Sequence, residues 1–268
     1  MLYSVVLKLR AESGNQAGIL LGECSHALFF NLLKVSDERV AAQVHRPTQY
    51  KPFTASLLVG RFRTGGASPQ VIVGNEYSVR LTFLSADLFA HFMDAVLKLG
   101  HGLLETAGVG FRIVQALVNP NDSPLCNFST FEALLSSAMC QREVTLQFSS
   151  PTAFRSGGRR NVIFPEPALV FGSYLSRWRH FSPPQANLSG DIGECFTRIL
   201  VHRYQLKTKL LTFKNYKEIG FQGKCTFELG SMFSDDQVRV LNALADFAFY
   251  CGTGAKTTMG MGQTRRLK

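Results

Sequence analysis

Cys251-Gly252-Thr253-Gly254-Ala255-Lys256-Thr257-Thr258-Met259-Gly260-Met261-Gly262-Gln263-Thr264-Arg265-Arg266 is the stretch around which the chain is organised. Glycine permits positive φ, so four of them let backbone N–H groups converge on an anion, and Lys256, Arg265 and Arg266 add charge. Phosphate is the natural anion. Two nucleotide patterns fail on spacing. A Walker A loop needs glycine directly before the lysine, where Ala255 stands, and its first glycine would fall at Tyr250. A dinucleotide fingerprint needs a third glycine at Thr257 and a full βαβ unit, for which too little chain follows Gly262. A nucleic-acid backbone and a flexible glycine-rich tail remain. Met259, Met261 and the apolar helical pattern before them favour a stretch that docks.

Working outward, Ser234 is a candidate N-cap for a helix over 235–250, with Val238, Leu241, Leu244, Ala245 and Ala248 on one face. Strand patterns at 143–148, 197–205, 220–229 and 263–267 and a helical pattern over 165–181 join it. Residues 154–164 read as a basic hairpin carrying Arg155, Arg159 and Arg160. The first half has the same order. Strands are expected at 3–10, 51–60, 76–84 and 110–118. Helices are expected over 26–34 (Ser25 as cap), over 37–45 and over 87–99. The expected fold is α+β, with tandem ferredoxin-like β-α-β-β-α-β domains over 1–120 and 125–268, joined by Asn119-Pro-Asn-Asp-Ser-Pro124.

The chain has 268 residues, 46% hydrophobic and 18% charged, enough to bury a proper core. Its net charge is +10 and is one-sided. There are 11 Lys and Arg against 10 Asp and Glu up to Gln141, and 18 against 9 from Arg142 onward. Such a surface favours a polyanion, because neutralising phosphates releases counterions. Six scattered cysteines with no C-x-x-C pair argue against a zinc site and a disulfide framework and suit a reducing cytoplasm. Residues 1–10 lack a signal-peptide core, and no apolar run reaches the ~18 residues of a membrane span. No membrane partner, metal or other cofactor is expected.

Three stretches resemble one family, the CRISPR-associated repeat-processing endoribonucleases (the Cas-six family). They are the Gly252–Gly262 loop, Ser150-Pro-Thr-Ala-Phe-Arg155 with Phe164-Pro-Glu-Pro167 and Arg177-Trp178, and Ala41-Ala42-Gln-Val-His45 with Lys51-Pro-Phe-Thr54. Gly220-Phe-Gln-Gly223 fits too. The resemblance implies two RNA-recognition-type domains that bind precursor CRISPR RNA and cut once per repeat without metal. The ribose 2′-OH would attack the adjacent phosphate, leaving 2′,3′-cyclic phosphate and 5′-OH ends. It implies His45 as acid or base, with Lys51 six residues later stabilising the phosphorane. A tyrosine that completes the site in some members would fall near Phe30, where this chain has none; Tyr50 is the nearest substitute.

Histidine suits proton transfer near neutral pH. His26, near the first helix start, is the second candidate and a possible partner for His45. RNA contacts are expected from Arg155, Arg159, Arg160, Lys224, Lys256, Arg265 and Arg266 and from Gly252, Gly254, Gly260 and Gly262. The partner is a repeat RNA, met by a monomer or homodimer, alone or within a CRISPR effector complex. A non-catalytic repeat-binding subunit of such a complex is the alternative.

Overall fold

The computed structural model describes residues 1–14, 18–66, 68–155, 157, 161–188 and 192–267. The chain divides into two units. The first comprises Met1–Phe128 with Phe213–Asn215 and Thr258–Gly260; the second holds the rest.

In the first unit, β1 (Leu2–Ala11) is followed by α1 (Leu21–Ser36), α2 (Glu38–His45), β2 (Phe53–Ala55), β3 (Glu76–Phe83), α3 (Ala86–Leu99), β4 (Leu103–Thr106) and β5 (Val109–Leu117). The sheet order is β2-β3-β1-β5-β4, all antiparallel. β1 is central. Val5, Leu7 and Leu9 join a core with Leu28, Phe29 and Leu32 of α1 and Phe92 of α3. Val6, facing the other way, meets Leu117 and Cys126 in a small second cluster. The Leu125 carbonyl accepts from Ser4 Oγ at 2.6 Å. These contacts tie 125–126 to β1, so the Asn119–Pro124 stretch lies within this unit.

The second unit contains α4 (Phe131–Ser136), β6 (Glu143–Thr152), β7 (Phe154–Arg155), β8 (Asn161–Val162), α5 (Pro167–Phe181), β9 (Leu200–Thr212), β10 (Lys217–Glu228), α6 (Asp235–Cys251) and β11 (Thr264–Leu267). Its main sheet runs β9-β10-β6-β11. With strands numbered by their place in the β-α-β-β-α-β repeat, both units read 2-3-1-4, the ferredoxin-like arrangement. Trp178 of α5 is fully buried between the rings of Phe131 and Phe247 and donates Nε1–H to the Ala186 carbonyl at 2.8 Å. α6 begins with a complete capping box, Ser234 with Gln237.

Three local expectations change. α1 starts at Leu21, and Ser25 is not its cap: its hydroxyl bonds back to the Leu21 carbonyl inside the helix. The strand expected at 197–205 is β9, because Ile192–Arg198 form 3₁₀ turns. α4 and β4 carry too few residues for their periodicity to stand out.

Candidate active site

Asp37 decides the geometry of the first unit's cleft. Its backbone is extended, which breaks the helix after Ser36, and its carboxylate accepts from the Arg39 and Val40 amides, which starts α2. α1 and α2 then form a hairpin that brings His26 and His45 together. Their ring centroids are 6.2 Å apart. Phe30 sits edge-on to both, at 4.8 Å from His26 and 4.9 Å from His45. The ring of the expected tyrosine position is therefore present without its hydroxyl. Tyr50 has its hydroxyl at 3.0 Å from Gln49 Nε2.

His26 is half-buried and His45 exposed. Nδ1 of His26 lies 3.1 Å from the Thr258 carbonyl oxygen. A carbonyl only accepts, so Nδ1 carries the proton and the neutral ring has its lone pair on Nε2. Burial lowers the His26 pKa from the ordinary 6.5. The Thr258 bond opposes that shift, and His45 and Lys51 reinforce it by repulsion. Lys51 donates from Nζ to the Val44 carbonyl at 2.7 Å and to the Arg46 carbonyl. It thus caps the last turn of α2 on both sides of His45 and retains one N–H. Desolvation lowers its pKa. An open cleft of about 500 Å³ leads away from the histidines, lined by Phe30, Asn31 and Lys34 of α1 and by Glu38, Ala41 and Ala42 of α2.

The glycine-rich stretch behaves differently from its sequence reading. Gly252, Gly260 and Gly262 are buried. Their amides bond to the carbonyls of Ala248, Ala55 and Pro151. The Gly254 carbonyl accepts from Arg177 at 2.6 Å. Gly254 and Gly262 have φ of +73° and +70°, and a Cβ would collide with the Ala153 and Thr253 carbonyls respectively. These glycines serve chain-on-chain packing, which corrects the phosphate cradle. Lys256 lies 3.6 Å from Glu218, donates to the Tyr216 hydroxyl at 2.7 Å and stands over its ring. Arg266 is also corrected: its side chain is 2% exposed and is held by Asp246 at 3.2 Å and Gln141 at 2.7 Å. The guanidinium is thus turned into the protein, with both terminal nitrogens bonded to Asp246, Gln141 and Asn242.

Lys224 and Arg265 remain exposed. The register places Gln205, Lys224, Gln147 and Arg265 in one row across the sheet. Directly paired residues share a face. Arg203, which the sequence reading missed, stands one row along, paired with Thr226. A shallow depression of about 410 Å³ on this sheet is lined by Arg203, Lys224, Thr226 and Leu267 among others. Exposure and cross-strand register, invisible along the chain, are what select Arg203. Arg155 is exposed where β7 pairs with β8. Arg159 and Arg160 lie outside the described residues.

Among the described residues, no group of three or more His, Cys, Asp or Glu could hold a metal ion, and no helix is long and apolar enough to cross a membrane.

Known proteins align with this arrangement along the whole chain. A family model for the CRISPR Cas6 N-terminal domain matches residues 1–135, and one for the CRISPR-associated endoribonuclease Cas6 matches 146–264. The CRISPR-associated endoribonuclease Cas6 of Streptococcus thermophilus is 29% identical over 124 residues, 46% of this chain and 49% of that protein. The match spans about half the length of the curated relatives. Among solved structures, a product complex of Thermus thermophilus Cas6 is 28% identical, covers 100% of both chains and has a TM-score of 0.83. A second Cas6 product complex is 26% identical, covers 100% of this chain and 99% of that one, and has a TM-score of 0.80. The two family models together take in nearly every element that builds the cleft and the second sheet, and the chain belongs to the CRISPR-associated endoribonuclease Cas6 family.

Proposed function

We propose that this protein cuts precursor CRISPR RNA within each repeat by metal-independent attack of a ribose 2′-OH. The observation that carries the reading is the histidine pair, with one ring fixed as its Nδ1–H tautomer. Nε2 of His26 takes the 2′-OH proton. The 2′-oxygen bonds to phosphorus, the bond from phosphorus to the 5′-oxygen breaks, and His45 gives that oxygen its proton. The products are a 2′,3′-cyclic phosphate and a 5′-OH. In-line displacement puts attacking and leaving oxygens on opposite sides of phosphorus, so two separate proton carriers suit it. Lys51 holds the turn that carries His45, and its remaining N–H and charge favour the phosphorane.

Product-bound Cas6 relatives support RNA as the ligand. Lys224, Arg265, Arg203 and Arg155 supply exposed cationic contacts to its backbone. Single-turnover cleavage of repeat RNA tests the roles. His45→Ala and His26→Ala are each expected to bind as wild type does and to cut at least about 10²-fold more slowly. Full cleavage by the double variant would overturn the assignment. Binding without cutting by the wild type would favour a repeat-holding subunit.

A further inference from the structure

We propose that the groove leading away from the histidine pair is a guanine site, holding the base of a nucleotide joined to the phosphate that His26 and His45 engage. The inference rests on the ribonuclease reading and adds the base that the cleft selects.

The groove is built by spacing. His26, Phe30 and Lys34 stand at i, i+4 and i+8 on α1, and Glu38, Ala42 and His45 follow one face of α2. From His26 to Lys34 the helix rises about 12 Å, room for a base beyond a phosphate. The catalytic candidates occupy one end and the other is polar. The lining between is Ala27, Ala41, Ala42 and the Phe30 ring, all apolar. Ala41 and Phe30 are largely buried, so a base face would rest mainly on Ala27 and Ala42.

The polar end has a definite hydrogen-bond pattern. Asn31 spends its Nδ2 on the Glu105 carbonyl at 2.9 Å and on Thr106 Oγ1 at 3.1 Å. Its side chain therefore has only its carbonyl oxygen, an acceptor, left to offer the groove. Glu38 adds a carboxylate acceptor, and Lys34 adds a donor. Neither Lys34 nor Glu38 has a side-chain hydrogen bond or ion pair among the described residues. The site thus presents one donor and two acceptors. A base that answers it must carry one acceptor and two donors along one edge. Guanine does, with O6, N1–H and N2–H. Adenine, cytosine and uracil each have a single donor position on that edge.

Mononucleotides test the site without relying on cleavage. Amide spectra of the full chain are recorded with 3′-GMP and 5′-GMP, and with the corresponding AMP, CMP and UMP. GMP is expected to bind roughly tenfold tighter than the others, shifting Asn31 and Ala42. Glu38→Ala and Lys34→Ala, both exposed, are expected to level that preference. Equal binding of the four bases, no GMP binding at millimolar concentration, or a preference that survives both variants overturns the proposal. Random-sequence RNA, cut by the protein and sequenced at its ends, separates the two readings. Cutting with no base preference beside the cut removes the guanine site and leaves the ribonuclease. A GMP preference in a protein that cuts nothing removes the ribonuclease and leaves the base site.

Discussion

His26 shows how one residue is tuned by its surroundings. Desolvation is the main force that lowers its pKa, and the positive neighbours His45 and Lys51 add to it. A general base works only when unprotonated, so with His26 in the proposed role the acid limb of the cleavage profile is expected below pH 6.5. Removing His45 both opens the site to water and deletes a like charge. Both changes favour the protonated form. In His45→Ala the His26 titration, followed by NMR, is expected to move up toward 6.5; a downward move would contradict the assigned causes. His26 also marks the limit of reading from sequence. Its position near a helix start was visible, whereas its partner, the carbonyl of Thr258, is 232 residues away. Arg266 failed for a related reason. Along the chain it looks like one more cation in a basic tail, and only the fold surrounds it with Asp246, Asn242 and Gln141.

At the scale of elements, the α1–α2 hairpin and the segment Thr258–Gly260 act together. Gly22 on α1 faces this segment, and a Cβ there would collide with the Met259 carbonyl. The neighbouring Thr258 carbonyl is the one that fixes the His26 tautomer. Gly22→Ala is therefore expected to keep the helix, since alanine is the better helix former. It should nevertheless slow cleavage by about an order of magnitude through loss of the Nδ1 bond. The His26 ring-nitrogen shifts report that loss directly, and unchanged shifts with unchanged rate would contradict the coupling. Strongly patterned elements such as α3, α6 and β3 were legible within a residue or two, because their apolar spacing and caps are local. β9 was legible only at its start, where 200–205 fall within the expected strand; beyond Gln205 it is an exposed edge strand with no alternation to mark it.

For the whole molecule, the charge asymmetry finds a place on the second sheet. Lys224 and Arg265 share a row there with Gln205 and Gln147, and Arg203 stands beside them. Each cation that meets a phosphate releases counterions. Lys224→Ala and Arg265→Ala are thus expected each to reduce the salt dependence of RNA binding by about 0.7 in the log–log slope. Lys256→Ala is expected to leave the slope nearly unchanged, since Glu218 and Tyr216 already engage that ammonium. The tandem fold was readable from sequence because β-α-β-β-α-β recurs in both halves. The glycine-rich stretch was readable as something that docks, and misread as to what it docks on. Its glycines accommodate the protein's own carbonyls. The central claim is a metal-free transesterification driven by His26 and His45. The most direct test is end analysis of repeat RNA cut in EDTA, beside the same RNA with a single 2′-deoxy substitution at the cut site. The account predicts undiminished cutting with 2′,3′-cyclic phosphate and 5′-OH ends, and an intact deoxy substrate. Loss of cutting in EDTA, or cutting of the deoxy substrate, would contradict it.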